Sequence, residues 1–267
     1  MEKMWHYPQI DPVAITLGPF NIHWYAISYL AAIFLCWRVM LYRAAWSKPA
    51  WSEEQISDLI FYGVLGVILG GRMGYMLFYG FDNLLANPLT LFKVWQGGMS
   101  FHGGLLGVII AGLYFAHRQG RSFLAVTDFV APAIPLGLGC GRIGNFINAE
   151  LPGRITDLPW ALVYPGETIA RHPSSLYQAC LEGPILFIVI WLLAGRNQKT
   201  GFISGVFLIA YGLLRFVSEF FRAPDSHMGF VALGWMSQGQ LLSIPMLLTG
   251  ALVVWLVLAD RIGNRNQ

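Results

Sequence analysis

Residues 139–154, GCGRIGNFINAELPGR, place Arg142, Asn145, Asn148, Glu150 and Arg154 in an otherwise oily chain. Charged groups at membrane depth are costly and usually face a water-filled cavity, a partner or a substrate, so this stretch reads as a site for an anionic ligand. Arg142 offers a planar fork of donors matched to phosphate oxygens, Asn145 adds an amide, and Gly141 and Gly144 remove bulk beside them. The competing structural reading is an arginine paired with Glu150, which would also offset the cost of burial. A second polar line, Arg215, Glu219 and Arg222, lies in a later apolar run. Arg215 and Glu219 are i and i+4 on a helix and face the same way, with Arg222 three residues on. They partly neutralise one another, yet one cation remains whose partner an anion could supply. Two such lines far apart in sequence are expected to share one cavity.

Other groups are weighed in the same way. His102 sits among glycines in GGMSFHGG, residues 97–104, where close backbone or lipid approach is possible. It is a candidate base, against a histidine hydrogen-bonded between tightly packed helices. Its glycines could equally serve helix packing. Cys140 lies next to the arginine motif, but a thiol in an apolar, glycine-rich run is more often a packing residue, and Cys36 and Cys180 read likewise. Tyr25, beside Trp24 at the start of the first apolar run, is either an interface anchor or a ligand contact. Asp128 either hydrogen-bonds to the site or orients neighbouring helices. His172, before Pro173, reads as a rim residue.

The elements that must position these groups are membrane helices. Of 267 residues, 56% are hydrophobic and only 12% charged, which disfavours soluble enzyme classes. Ten Trp and 11 Tyr suit rings at the headgroup level. A formal charge of +3 without a long basic run gives no nucleic-acid footprint. The 3 Cys lack CxxC spacing and the 6 His lack a pattern such as HExxH, so neither a disulfide framework, a metal nor any other cofactor is expected. The first twenty residues carry Pro8, Pro12 and Pro19 and do not resemble a removable signal peptide.

Apolar runs of about 20 residues fall at 22–42, 57–79, 98–117, 124–147, 174–194, 202–221 and 239–259, giving an all-α multi-pass membrane protein of about seven transmembrane helices. The third and fourth are irregular. Gly97, Gly98, Gly103, Gly104 and Gly107 crowd one, and Pro132, Pro135, Gly137, Gly139, Gly141 and Gly144 interrupt the other, which is expected to end in a break lining a cavity. Under alternating topology Arg38, Arg43, Lys48, Arg118, Arg121, Arg196, Lys199, Arg261 and Arg265 share one side. Lys3, Lys93, Arg142, Arg154, Arg171 and Arg222 share the other, while Arg72 and Arg215 lie within spans. The bias places the N-terminus outside and the C-terminus inside, with the polar constellation and the 149–173 connection on the outer face. With no internal repeat or soluble segment, residues 1–267 read as a single integral-membrane domain.

HWY at 23–25, GGMSFHGGL at 97–105, GRIGNFINAELPGR at 141–154, RHPSSLYQ at 171–178, YGLLRFVSEFFRAPD at 211–225 and GQLLSIPM at 239–246 together resemble the bacterial prolipoprotein diacylglyceryl transferases. The resemblance covers nearly the whole chain, and its clearest departure from longer members is a compact 155–171 connection. It implies seven spans in the bacterial inner membrane with the site toward the periplasm. It further implies transfer of the diacylglyceryl group of phosphatidylglycerol to the lipobox cysteine thiol of a prolipoprotein signal peptide, forming a thioether and releasing glycerol 1-phosphate. Carried over by motif, Arg142 corresponds to the phosphatidylglycerol-binding residue, with Asn145, Glu150, Gly153, Arg215, Glu219 and Tyr25 as further important positions and His102 as the family's proposed base. Arg142 and Arg215 could stabilise charge developing on the leaving phosphate, while the imidazole or a nearby cation favours the thiolate. The alternative is a lipid or anionic-solute transporter, for which half-helix breaks and midplane arginines are also expected, although inverted repeats are not visible. A non-catalytic phospholipid-binding scaffold would keep the arginines and tolerate loss of His102.

Overall fold

The computed structural model describes residues 5–47, 50–195, 198–224 and 228–262. Lys3, Lys48, Arg196 and Arg265, used above for orientation, and Asp225 of the 211–225 motif lie outside the described residues. In chain order the elements begin with strands β1 (Trp5–His6), β2 (Val13–Leu17) and β3 (Phe20–His23), followed by helices α1 (Trp24–Ala44), α2 (Glu53–Phe78), α3 (Phe81–Ala86) and α4 (Phe101–Arg118). Next come α5 (Phe123–Val130), α6 (Ile134–Ile147), β4 (Leu162–Val163), β5 (Ala170–Arg171) and α7 (Ser174–Cys180). The last are α8 (Leu186–Ala194), α9 (Phe202–Ser218) and α10 (Gln238–Leu258). The chain divides into two compact units, one of Met1–Met40 with Asp128–Gln267 and the other of Leu41–Thr127.

Each of the seven apolar runs holds a helix or a pair of helices. Among the described residues, four helices are long and apolar enough to cross a membrane, or five if the bent pair α5 and α6 counts as one span. Ser174–Ala194 is one of the four, while Phe202–Ser218 is a shorter apolar helix than the run from 202 to 221 suggested. Apolar side chains such as Leu30, Phe34, Leu69, Leu248, Leu252 and Trp255 are exposed along these helices, as a lipid-facing surface requires. The protein is therefore mostly helical and multi-pass. Its connections are not purely helical, which amends the all-α expectation: β2 and β3 form an antiparallel hairpin, and β1 pairs parallel with β4, which pairs antiparallel with β5.

The break expected late in the fourth run lies early instead. Residues 131–133 form turns between α5 and α6, where Pro132 and Pro135 deprive the backbone of donors, and α6 then continues through Gly137, Gly139, Gly141 and Gly144. Two of these glycines serve packing: a Cβ on Gly139 would stand 3.1 Å from the Gly183 Cα, and one on Gly144 would stand 2.7 Å from Ser28 Oγ. α9 is started by Asp128, whose carboxylate accepts from the backbone of Gly201 at 2.5 Å and of Ser204 at 2.7 Å. Of its two sequence readings, Asp128 thus fulfils the helix-orienting one, by satisfying orphan N–H groups. α9 then crosses α10 at Gly205 and Gly250, since a Cβ on Gly250 would stand 2.7 Å from the Gly205 carbonyl oxygen.

In the other unit, α2 and α4 meet backbone to backbone. A Cβ on Gly70 would come within 2.4 Å of the Gly103 carbonyl oxygen, and one on Gly107 within 2.0 Å of that of Gly66. This is small-residue packing of the kind that lets membrane helices approach closely. Arg72, almost fully buried in α2, donates to the carbonyls of Thr90 at 2.6 Å, Leu91 at 3.1 Å, Gly98 at 3.3 Å and Gly97. Its fork thereby fixes the loop that leads into α4 and serves structure.

The close approach sets a contrast within one helix. A Cβ on Gly104 would meet nothing nearer than 3.6 Å. Gly104→Ala should therefore leave stability unchanged or raise it by up to about 1 kcal/mol through helix propensity. Gly107→Ala should cost about 1–3 kcal/mol by overpacking. Thermal unfolding in detergent reads the difference, and equal midpoints for the two variants would contradict the packing described.

Candidate functional site

Three segments bring their charges together in the first unit. On α6, Arg142 Nε donates to Glu182 Oε2 at 2.9 Å, and on α9 the Arg215 Nη1 stands 3.5 Å from Glu182 Oε1. Arg215 Nη2 and Arg222 Nη1 both reach Glu219 Oε1, at 2.6 and 3.2 Å. The other Glu219 oxygen accepts from Ser237 Oγ, the N-cap of α10, at 2.6 Å. The result is a continuous chain, Arg142–Glu182–Arg215–Glu219–Arg222. Its carboxylates are the most deeply buried members, with Glu182 at 0% and Glu219 at 2% exposure, whereas the Arg142 and Arg215 side chains keep 18% and 13%. The two polar lines of the sequence thus meet, with the arginine side chains less deeply buried than the carboxylates.

Arg142 is not paired with Glu150, the structural alternative considered above, nor are Arg142 and Arg215 unpaired. Their common partner is Glu182, which the sequence reading missed. A lone carboxylate in the apolar run 174–194 was the available signal, by the same argument that singled out Asp128. Its position depends on a π-helical turn, Leu181–Ile185, between α7 and α8. Gly183 there leaves helical backbone geometry and Pro184 follows it, so the helix shifts register where it crosses Gly139 of α6. Tyr211, one turn before Arg215, also interacts with Glu182, Arg142 and Arg215. It too was passed over, although it begins the YGLLRFVSEFFRAPD motif.

Further out along α6 lies a second polar group. Glu150 accepts from Asn145 Nδ2 at 2.7 Å and from Asn148 Nδ2 at 3.2 Å. Its neighbours Ala149 and Leu151 adopt φ of 55° and 57°, left-handed backbone that non-glycine residues rarely take. Such strain persists only where surrounding bonds over-determine it. Here the bonds come from the RHPSSLYQ segment: Ser174 Oγ donates to the Leu151 carbonyl at 2.6 Å and Ser175 Oγ to that of Glu150 at 2.9 Å. Tyr25 of α1 packs over Gly144, where an added Cβ would meet its ring at 3.0 Å, and its hydroxyl stands 3.2 Å from that of Tyr29. Tyr25 also interacts with Asn145 and Glu150.

The remaining sequence candidates divide between roles. Gly153 permits close packing, since a Cβ would lie 2.3 Å from the His172 carbonyl oxygen and 2.7 Å from that of Phe221. Arg154 holds backbone beyond the end of α9, donating to the Arg222 carbonyl at 3.1 Å and the Glu219 carbonyl at 3.5 Å. His172 stacks edge-on against Tyr177 and Phe221, and burial lowers its pKa from the usual imidazole value. Cys140 is a free, half-buried thiol on α6. His102 belongs to the other unit, where it lies exposed in the first turn of α4 with its ring edge-on to Phe101.

Residues 12–256 match the family described as "Prolipoprotein diacylglyceryl transferase". A protein of Coxiella burnetii named phosphatidylglycerol--prolipoprotein diacylglyceryl transferase is 54% identical over 253 residues, 94% of this chain and 97% of its own length. Proteins of the same name from Pseudomonas paraeruginosa and Pseudomonas aeruginosa are 53% identical over 251 residues, 93% of this chain and 94% of theirs.

Gly239, in the first turn of α10, packs against Glu219. A Cβ on Gly239 would stand 2.6 Å from the Glu219 Cδ, a carboxylate already fixed by two arginines and Ser237. Gly239→Ala should therefore break the buried pairing and cost about 3 kcal/mol or more. Ser237→Ala, which removes a cap and one hydrogen bond, should cost about 1–2 kcal/mol. Denaturant unfolding that ranks the two the other way round would contradict the account.

Proposed function

The chain belongs to the prolipoprotein diacylglyceryl transferase family, and we infer that it transfers the diacylglyceryl group of phosphatidylglycerol to a prolipoprotein, with Arg142 and Arg215 as the pair that holds the lipid phosphate. The observation that carries this assignment of residues is the chain Arg142–Glu182–Arg215, in which two partly exposed arginine side chains from different helices share one fully buried carboxylate. Arginine forks match phosphate oxygens, and carboxylates behind them hold the forks in place. Asn145, Glu150 and Tyr25 are further contacts for the lipid in this reading. Gly153 contributes by keeping the 153–154 backbone against His172 and Phe221. Glu219 acts through Arg215.

In the reaction, the lipobox cysteine sulfur forms a bond to the terminal glyceryl carbon of the lipid. The carbon–oxygen bond to phosphate breaks, its electron pair stays on oxygen, and glycerol 1-phosphate leaves. Arg142 and Arg215 oppose the charge that grows on the departing phosphate, the electrostatic contribution that is usually largest in such sites. The thiol proton must be lost, and His102 is the residue assigned to take it. Cys140 has no covalent part, because a single displacement needs no enzyme nucleophile.

The same reading takes residues 1–267 as one integral-membrane catalytic domain with seven spans, α9 being the short one. Its place is the bacterial inner membrane, with the N-terminus outside, the C-terminus inside and the arginine site toward the periplasm. The Lys/Arg bias of the connections supports that orientation. Phosphatidylglycerol, the lipobox-bearing signal peptide and bulk membrane lipid are its partners, and no nucleic acid or cofactor enters.

Incubation of the purified protein with phosphatidylglycerol and a lipobox peptide should raise the peptide mass by one diacylglyceryl group. An unchanged peptide, with lipid translocated across vesicles instead, would favour the transporter alternative. In the same assay His102→Gln should slow transfer by about 10²- to 10⁴-fold at neutral pH. Partial recovery is expected as pH rises toward the ordinary thiol pKa of about 8.5, where thiolate forms unaided. A defect independent of pH would remove the base role.

A further inference from the structure

The reaction changes the charge of what the site holds. Phosphatidylglycerol presents a phosphodiester with one negative charge, whereas the phosphomonoester that leaves carries close to two at neutral pH, its second pKa being near 6. The balance is closed by the thiol proton: thiol plus diester monoanion gives thioether, monoester dianion and one proton. A site built only of guanidinium groups would bind the dianion more tightly than the substrate and would be slow to release it. The structure places a carboxylate at that point. Glu182, fully buried, lies 2.9 Å from Arg142 Nε and 3.5 Å from Arg215 Nη1, and the latter contact lacks hydrogen-bond geometry. Glu182 Oε1 and Arg215 Nη1 are both buried without a hydrogen-bond partner among the described residues, so Arg215 is held by charge yet keeps a donor unused.

We propose that Glu182 is a positioning residue that sets the charge of the arginine pair, so that the pair suits a phosphate monoanion and expels the dianion formed when the glyceryl carbon–oxygen bond breaks. The inference rests on Arg142 and Arg215 holding the phosphate. Glu182 orients both forks in the ground state, and its charge then repels the second negative charge on the leaving group through a few ångströms of low-permittivity surroundings. Groups that face it from the packed helices are Arg142 on α6 and Tyr211, Arg215 and, one residue past the helix, Glu219 on α9. A carboxylate that served only to neutralise buried arginines would affect folding and lipid binding without distinguishing one phosphate charge state from the other.

The test uses the full chain in detergent or lipid nanodiscs, with glycerol 1-phosphate and its methyl phosphodiester as soluble inhibitors of transfer to a lipobox peptide. On the unmodified protein the monoanionic diester should inhibit more strongly than the dianionic monoester at pH 7.5. In Glu182→Gln the monoester should bind about tenfold more tightly or better, the order of the two inhibitors should reverse, and steady-state turnover should fall. Glu182→Asp, which retains the charge, should keep the original order. A folded Glu182→Gln protein with unchanged or weaker monoester inhibition overturns the proposal. If that variant does not fold, equal or tighter binding of the monoester by the unmodified protein overturns it alone, and preference for the diester together with the unchanged order in Glu182→Asp supports it. The underlying phosphate assignment is judged separately with Arg215→Ala: inhibition by both compounds persisting there at full strength would remove the assignment itself. Inhibition lost in Arg215→Ala but not tightened in Glu182→Gln would remove only the role of Glu182.

Discussion

Burying a guanidinium group in an apolar protein requires polar partners, and for three arginines Glu182 and Glu219 supply a counter-charge. An unpaired buried ion costs several kcal/mol even after relaxation; these three arginines meet carboxylates, whereas Arg72 meets four backbone carbonyls. The pairing therefore fixes more than charge. It ties α6 to the α7–α8 helix through Arg142 and Glu182, that helix to α9 through Arg215, and α9 to the start of α10 through Glu219 and Ser237. Replacing such a network by apolar residues of similar size is often neutral or stabilising.

The backbone is adapted to let these side chains meet. Gly139 and Gly183 let α6 and the π-helical turn cross, Gly205 and Gly250 do the same for α9 and α10, and Gly239 leaves room for the Glu219 carboxylate. Lipid provides no hydrophobic drive between helices, so close packing of small residues and internal polar contacts must hold them. The turn that follows α6 adds strain at Ala149 and Leu151, held by Ser174 and Ser175. Glu150 is in this way aimed by its own backbone and by two amides. Together these devices fix the positions of the polar groups on and beside α6.

Much of this was legible in the sequence because hydropathy and charge act against each other so strongly in a membrane. Every apolar run became helical within a few residues of its expected limits, and the arginine lines at 142 and 215–222 converged. Glycine was harder to read. The same residue type that suggested a break at Gly139–Gly144 instead marks close contacts inside an unbroken helix, while the actual break follows from Pro132 and Pro135. Glu182 was overlooked because it is one carboxylate in a long apolar run, and its function becomes visible only when a π-turn and a helix crossing set it beside two arginines far away in sequence. Gly153, Arg154 and Arg72 show the converse limit. Their partners are backbone carbonyls, which leave no mark in the sequence.

The central claim is that the Arg142 fork, held by Glu182, binds the phosphate of phosphatidylglycerol. The most direct measurement is the rate of diacylglyceryl transfer to a lipobox peptide as phosphatidylglycerol is varied, for Arg142→Lys and Arg142→Ala at matched levels of folded protein. Lysine keeps the charge but loses the bidentate geometry, so Arg142→Lys should be impaired and Arg142→Ala nearly inactive. Full activity of Arg142→Ala with unchanged saturation by lipid would contradict the account.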